Sequence, residues 1–584
     1  MDPNGQPMSG PVPGDQPRAG QPQDDSSQQA TLVPMPDGWA AGVSPVVISR
    51  RSHRGRWAIA GAVVLIVALL TAGGAFVLSG AGGLKSLTAS AAPKNTYAFL
   101  EVRVDLPGDQ HARLADFMSH FPGFADRAQF NTALDEMLNR LTSSVSPDLN
   151  YTTAFKPWMQ GEFSLALVDE GRQASAGVVA IFAVKDRAGA ESWAASTIAR
   201  RSLALATSDY AGTKLYSTGS GANDEAYAVT DQDLFVGTTP GVKNALDAKT
   251  NGSLADNANY QAAMKSVTGD GIARMFLDTG HVAAIGTSGN MMPGIGMAVS
   301  SVLSTKDVPT WIAGSLRAES DRVVVTVAMP RTGASSLGIG NHSSTLASLL
   351  PGTTVAVAEA HSIGKVITGV MPMMASQSGM TSSSNQIAQV TDILSKIGGT
   401  DWIGDGAVVL TKDGSTLGGG VVVEATDAAT ASVKESLITN LATLASVTMH
   451  VSSKDEAYKG VTITLINIPA DVTGGIPIQI AVAAKDNLIV AGYTDAFVKA
   501  VVDTTSSNSL ASQADYSNVM AQAGSSNEQS FYVNVPAVED QIGQQFSPAR
   551  WTADYKPYFD HVGGVAGAVI DGDTVILRIV ISAR

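Results

Sequence analysis

The sequence predicts an α+β protein: one transmembrane helix near the N-terminus, then two tandem related units, each an antiparallel sheet with covering helices. Three observations carry this. An apolar run without a single charge occupies residues 57–78 and follows a polar stretch. The segment Ser253-Leu254-Ala255-Asp256-Asn257-Ala258-Asn259-Tyr260, with Met264 shortly after, recurs as Ser509-Leu510-Ala511-Ser512-Gln513-Ala514-Asp515-Tyr516, with Met520 shortly after. Short apolar runs joined by polar turn residues appear in the same order in both halves, and strands joined by tight turns are antiparallel.

Crossing a ~30 Å hydrocarbon core takes roughly 20 apolar residues, which residues 57–78 supply. Arg50, Arg51, His53, Arg54 and Arg56 precede the run, and the first charge after it is Lys85. Positive charge stays on the cytoplasmic side, so the N-terminus is expected in the cytoplasm and the bulk of the chain outside it. Ala89-Ser90-Ala91 has the small-x-small form of a cleavage site, but it lies well past the apolar run, which therefore reads as an uncleaved anchor. Arg50-Arg51 lacks the apolar residues that follow a twin-arginine pair. Residues 1–56, rich in Pro, Gln and Gly, read as a disordered cytoplasmic tail, because such a composition buries too little apolar surface to offset chain entropy. Residues 79–94 read as a flexible Gly/Ser/Ala tether.

A chain of 584 residues exceeds what one core sustains, and its 44% hydrophobic content is ample for two. Within residues 1–56, Asp2, Asp15, Asp24, Asp25 and Asp37 balance Arg18, Arg50, Arg51, Arg54 and Arg56, so the net charge of −14 belongs to the remainder. An acidic surface excludes nucleic acid, which needs clustered Lys and Arg. The absence of cysteine excludes thiol catalysis, Cys-ligated zinc, iron–sulfur clusters and disulfides.

Unit one is expected over residues 95–330 and unit two over 351–584, with a linker at 331–350. Each opens with a strand, through Thr96-Tyr97-Ala98-Phe99-Leu100-Glu101 and Thr354-Val355-Ala356-Val357-Ala358-Glu359. A helical insert follows. In unit one it shows Leu114, Phe117, Met118 and Phe121 at helical spacing, then Phe130, Leu134, Leu138 and Leu141; in unit two it begins with Met371, Met373, Met374 and Met380 and ends with Ile387, Val390, Leu394 and Ile397 before Gly398-Gly399. Trp158 through Glu162 then matches Trp402 through Asp405, each leading into a strand. A second strand runs into a helix capped by Asp186 in one unit and Asp427 in the other. Tyr210-Ala211-Gly212 matches Tyr458-Lys459-Gly460. Hairpins turn at Asp231-Gln232-Asp233 and Lys485-Asp486-Asn487, and a short helix follows each. Closing strands surround Val323-Val324-Val325 and Val575-Ile576-Leu577, the latter after a turn at Asp571-Gly572-Asp573. The repeat distance of about 255 residues is that of a duplicated domain, far above the roughly 20–50 of solenoid repeats.

Candidate chemistry is sparse. The eight histidines show no metal-ligand spacing, and His111 and His120 read as surface residues beside an amphipathic helix. No nucleophile elbow or Ser-x-x-Lys set is present. Glu101 and Glu359 are equivalent, with Asp105 near the first; paired carboxylates suit acid/base work, but here they read as exposed strand residues. The Asp231/Asp233 and Asp571/Asp573 pairs lack the rest of a calcium loop and read as turns. Gly418-Gly419-Gly420 is not followed by the Lys of a phosphate loop. Trp158 and Trp402 suit either a stacking platform or packing against the sheet, and the sequence favours packing. Met291, Met292 and Met297 pair in composition with Met371 to Met380, as residues that line an adaptable apolar groove or fill a loop and core. No catalytic, cofactor-binding or metal-binding residue is assigned, binding residues are left open, and no cofactor is expected.

Asp105-Leu106-Pro107-Gly108-Asp109-Gln110, Phe121-Pro122-Gly123-Phe124 and Pro157-Trp158 with Gly161 resemble the signature segments of an uncharacterised bacterial membrane-anchored family, domain of unknown function 3352 (DUF3352). The resemblance covers most of residues 95–584 and is sharpest in unit one, since unit two lacks the Pro-Gly-Asp-Gln and Phe-Pro-Gly-Phe segments. It implies a disordered N-terminus, one span and a large extracytoplasmic region; it implies no activity, so no functional residue carries over. The expectation is a single-pass cell-envelope protein, anchored in the bilayer through residues 57–78, whose duplicated domain binds an envelope lipid, polymer or protein at a cleft between its halves. Two alternatives stand beside it: an extracytoplasmic hydrolase with a dispersed site between the units, and a structural spacer with an interacting cytoplasmic tail.

Overall fold

Apolar runs rich in Val and Ile form strands here, and polar turn residues join them. The structure is a computed structural model describing residues 86–584 apart from 107–108, 146–148, 171–175, 201–203, 222–223, 268–270, 282–308, 333–338, 366, 369–394, 397, 415, 450 and 472–476. The expected cytoplasmic tail, the span at 57–78 and both Met-rich segments lie outside the described residues. Within them, no helix is long and apolar enough to cross a membrane.

The first half contributes β1 (Thr96–Arg103), β2 (Met159–Asp169), β3 (Ala176–Val184), β4 (Ala206–Tyr210), β5 (Thr213–Ser217), β6 (Glu225–Val229), β7 (Asp233–Thr238), β8 (Ala273–Asp278), β9 (Trp311–Glu319) and β10 (Arg322–Pro330). After β11 (His342–Ser343), the second contributes β12 (Thr354–Ala360), β13 (Ile403–Asp413), β14 (Thr416–Ala425), β15 (Ser452–Tyr458), β16 (Val461–Ile468), β17 (Ile478–Lys485) and β18 (Leu488–Gly492). It ends with β19 (Ser526–Asn527), β20 (Gln529–Asn534), β21 (Val562–Ile570) and β22 (Thr574–Ala583).

Twenty of these strands form one sheet, and every pairing is antiparallel. From one end the order is β4-β5-β6-β7-β3-β2-β1-β8-β9-β10. It continues β22-β21-β20-β12-β13-β14-β18-β17-β16-β15. Read outward from the β10–β22 pair, the two halves have the same strand order. Small details match too: β1 slips register against β2 between Thr96 and Ala98, and β12 slips against β13 between Thr354 and Ala356. Isolated bridges Pro93↔Ser253 and Pro351↔Ser509 stand at corresponding places.

The sequence reading assigns each unit a sheet of its own; in the structure the sheet is continuous. Both closing hairpins leave an edge strand dense in β-branched residues, and the two edges pair from Arg322↔Ser582 to Pro330↔Thr574. An unpaired apolar edge is a liability that this pairing removes.

Helices cover both faces. On one face of the first half lie α1 (Asp109–Met118), α2 (Phe130–Val145) and α3 (Arg187–Arg200), whose Leu114, Phe117, Phe130 and Ala194 pack with Leu100, Leu165 and Phe182. On the other lie α4 (Thr239–Asn251) and α5 (Ala258–Ser266), where Val242, Ala245 and Tyr260 meet Phe99 and Phe276. In the second half α6 (Ala428–Met449) covers one face beside Trp402 and Ile489. The opposite face carries α7 (Asp495–Val502) and α8 (Ala514–Ala523), with Phe497, Val501 and Met520 against Val357 and Val409. A further helix, α9 (Val535–Gly543), follows β20. The apolar residues of α1 and α2 fall on one helical stripe, as their spacing predicts. Asp427 Oδ1 accepts the Thr430 amide at 2.7 Å, the expected cap of α6.

Of the expected tether, Thr88, Ala89, Ala91 and Ala92 are buried against the sheet, because this run of small residues fits closely beneath the turn that starts at Ser253. The expected linker likewise contributes Leu346, Ala347 and Leu350 to a core.

Candidate functional site

Glu101 and Glu359 stand near the middle of the sheet. The sequence reading makes them exposed; they are 1% and 5% exposed. Both faces of β1 are covered, so the alternation on which that reading rests is absent there; on β12 alternation is present, but Ala358 is the exposed residue and Glu359 shares the buried side with Val357.

In the first half Glu101 is neutralised on its own strand. Arg103 Nη2 lies 2.9 Å from Glu101 Oε1, and Arg103 Nε lies 3.3 Å from Glu162 Oε2 on β2. Glu162 Oε1 accepts from Ser86 Oγ, the Thr88 amide and Thr88 Oγ1 at 3.1, 2.8 and 3.0 Å. Burial and the neighbouring Glu162 push the Glu101 carboxyl upward, with Arg103 and Arg274 opposing. Tyr260 packs edge-on against Phe276, and burial beside Glu101 pushes its phenol up.

The second half has carboxylates at the same places but different cations. His361 follows β12 where Arg103 ends β1, and Asp405 on β13 faces it as Glu162 faces Arg103. His361 Nδ1 and Asp405 Oδ2 are 2.7 Å apart, and the Ser362 amide donates to Asp405 Oδ1 at 2.9 Å. Glu359 Oε1 is 4.0 Å from His361 Nδ1 and, though buried, has no hydrogen-bond partner. His342, on the two-residue β11, brings Nδ1 to 3.8 Å from Asp405 Oδ2, and its ring centroid is 4.0 Å from that of His361. His342, His361 and Asp405 each place one donor atom within 4.8 Å of the others. Burial pulls the His361 imidazole down, but its bond to Asp405 and the charges of Asp405 and Glu359 reverse this, and the net shift is upward. Burial pushes Asp405 up, yet the His361 and Ser362 hydrogen bonds hold it below the usual range. Burial raises Glu359.

Sequence spacing missed this group because its members come from a linker, a strand end and a strand far apart in the chain. The signal was present in the alignment of the halves, which sets Glu101 with Glu359 and Glu162 with Asp405. Extending it by two residues sets Arg103 with His361, an altered cation inside a retained acidic pair.

The other candidates resolve simply. Trp158 is buried with Phe155, Phe182 and Trp193 and donates to the Ala154 carbonyl; Trp402 donates to the Gly399 carbonyl with Lys434 over its ring. Both pack. His111 lies on α1 and contacts Asn131 and the Phe130 ring of α2. Asp105 follows β1, with its backbone amide bonded to the Gly161 carbonyl. Asp571 and Asp573 turn β21 into β22 and hold Arg331, one by its side chain and one by its carbonyl. Asp231 pairs with Arg187 at the surface, whereas Asp233 is buried.

A second feature lies on the sheet face of the second half. A cavity of about 360 Å³ is lined by Ile363, Val408, Val421, Phe531 and Leu577, among others. Val408 is 58% and Val421 42% exposed. The corresponding face of the first half is covered by α1 and α2.

The chain belongs to the family described as protein of unknown function (DUF3352), whose model matches residues 58–574. Comparison with curated proteins finds no match. Among solved structures, crystal form III of TP0453 is similar over 42% of this chain and 80% of its own at 8% identity, with a TM-score of 0.20. Crystal form I of TP0453 is similar over 41% of this chain and 77% of its own at 7% identity, with the same TM-score of 0.20. Likeness at that score defines neither fold nor role.

Proposed function

We propose that this is a single-pass cell-envelope protein, anchored by residues 57–78 with its N-terminus in the cytoplasm, whose extracytoplasmic part arose by tandem duplication and binds an apolar envelope ligand without catalysis. The matching strand order, the paired register slips and the paired Pro–Ser bridges favour the duplication. The basic run before the apolar stretch favours the topology.

One observation carries the binding reading: among the described residues, Ile363, Val408, Val421, Phe531 and Leu577 line an apolar groove. Its volume falls in the range of small-ligand sites, roughly 300–1,000 Å³. The lining is mainly apolar, with Glu359, Gln529 and Ser530 also contributing, and this suits a lipid acyl chain better than a sugar polymer. A cleft between the halves is not the better site, because β10 and β22 close that boundary with ladder hydrogen bonds. The hydrolase alternative lacks support at His361: the ring is fully buried and its Nε2 carries no hydroxyl partner.

Native mass spectrometry of the full chain purified in mild detergent tests the reading. The wild type is expected to retain a lipid adduct that Val421→Asp loses, while lipid around the anchor is common to both. Identical adduct patterns in the two proteins would sink the lipid-groove assignment.

A further inference from the structure

The two buried acidic pairs invite a direct comparison within one molecule. In the first half a guanidinium lies between Glu101 and Glu162, and Arg274 faces Glu101 across the β1–β8 ladder. In the second half Ser530 faces Glu359 at that ladder position, and His361 replaces Arg103. Among the described residues, neither Glu359 nor Asp405 has a Lys or Arg within 4.0 Å; their charged neighbours are imidazoles. Two fixed cations are thus missing from a site that keeps both carboxylates, and buried carboxylates call for a compensating cation.

We propose that a first-row divalent metal ion, zinc by its donor preference, takes in the second half the place that the Arg103 guanidinium holds in the first. Its ligands are His342 Nδ1, His361 Nδ1 and Asp405 Oδ2, whose donor atoms lie within 4.8 Å of one another. Imidazole nitrogen with carboxylate oxygen is a donor set that zinc accepts readily. In a tetrahedral site with bonds of ~2.0–2.1 Å, donor atoms sit roughly 3.4 Å apart. The His361–Asp405 and His342–Asp405 separations of 2.7 and 3.8 Å bracket that value.

Glu359, buried with Oε1 4.0 Å from His361 Nδ1, lies beside this group and adds negative charge that favours a cation there. The surroundings of His361 also fit. With the metal on Nδ1, Nε2 must carry the proton, and the Asn527 side chain beside it holds Oδ1 buried without another partner. An outer acceptor of this kind fixes the tautomer of a metal-bound histidine. The proton between His361 and Asp405 leaves to solvent as the ion enters. His342, with its side chain 42% exposed, provides the route in. Three protein donors leave the fourth position to water, and the ion ties the segment before β12 to the sheet.

The test uses the full chain without a polyhistidine tag, stripped with EDTA and titrated with zinc chloride by calorimetry. Cobalt absorption provides a coordination signature. One ion per chain is expected, with thermal stabilisation by zinc in the wild type. His342→Ala, a half-exposed site that leaves the sheet intact, is expected to weaken binding at least about tenfold and to remove the stabilisation. Asp405→Asn is expected to do the same. Absence of saturable zinc binding in the wild type, or unchanged affinity in both variants, overturns the proposal.

Discussion

A carboxylate inside a sheet must be matched by charge or hold its proton, and this chain shows both solutions. Glu101 and Glu162 share Arg103. Asp233, at the start of β7, has no such partner at bonding distance among the described residues, and burial pushes its carboxyl up to about 6 from 3.8, with Lys249 opposing only in part. The folded protein therefore binds this proton more tightly than the unfolded chain. The contribution of Asp233 to stability is greatest below about pH 4 and declines as pH rises through about 6, by up to about 3 kcal/mol. Asp233→Asn is expected to flatten that slope and to be the more stable protein near pH 7. Urea denaturation of both proteins at a series of pH values checks this, and parallel curves would refute it. The sequence made Asp233 legible as a turn residue, and it does adjoin the turn. Its burial was not legible, because the covering face comes from elements distant in sequence. The same holds for Glu359 and His361, whose neighbours His342 and Asp405 carry no local spacing.

At the scale of elements the turns were readable because they rest on local chemistry. Ala211 and Gly212 between β4 and β5 have φ of 49° and 74°, and Lys459 and Gly460 between β15 and β16 have 50° and 82°. Two successive left-handed residues make the tight hairpin turn that favours Gly at the second place. Tyr210 and Tyr458, just before these turns, donate to Asp247 and Asp503 at 2.7 and 2.9 Å. Close strand approach was less readable. Gly237 on β7 pairs with Val179 on β3, and a Cβ there would lie 2.0 Å from the Val178 carbonyl oxygen. Gly237→Ala must push β7 from β3, and a loss of about 1–3 kcal/mol is expected in chemical denaturation. Little or no change would mean that the ladder yields there. Nothing in the sequence announced β11, a two-residue strand that among the described residues pairs with β19 alone.

For the whole molecule, the hydrophobic content promised a core for each unit, and the cores prove to be shared. Val324 of β10 packs into the second half's core, while Val535 and Val562 pack with the first half's. The runs Val323-Val324-Val325 and Val575-Ile576-Leu577 were visible as closing strands; that they would pair with each other depends on both halves being folded. Shared cores predict one calorimetric unfolding transition for the region beyond residue 95. Val324→Asp, buried opposite Val580, is expected to split it into two. Two transitions already present in the wild type would contradict this coupling.

The strand order has a consequence for self-association. Because the halves join through like edges, the sheet reads as a palindrome and its two free ends are also alike. They are β4, with Ser208 and Asp209, and β15, with Lys454, Asp455 and Glu456, both largely exposed. Charged and polar end strands resist further strand addition. The molecule has consumed its one adhesive edge internally and presents a non-adhesive terminus in both directions, so it caps its own growth where a half alone would invite a second copy.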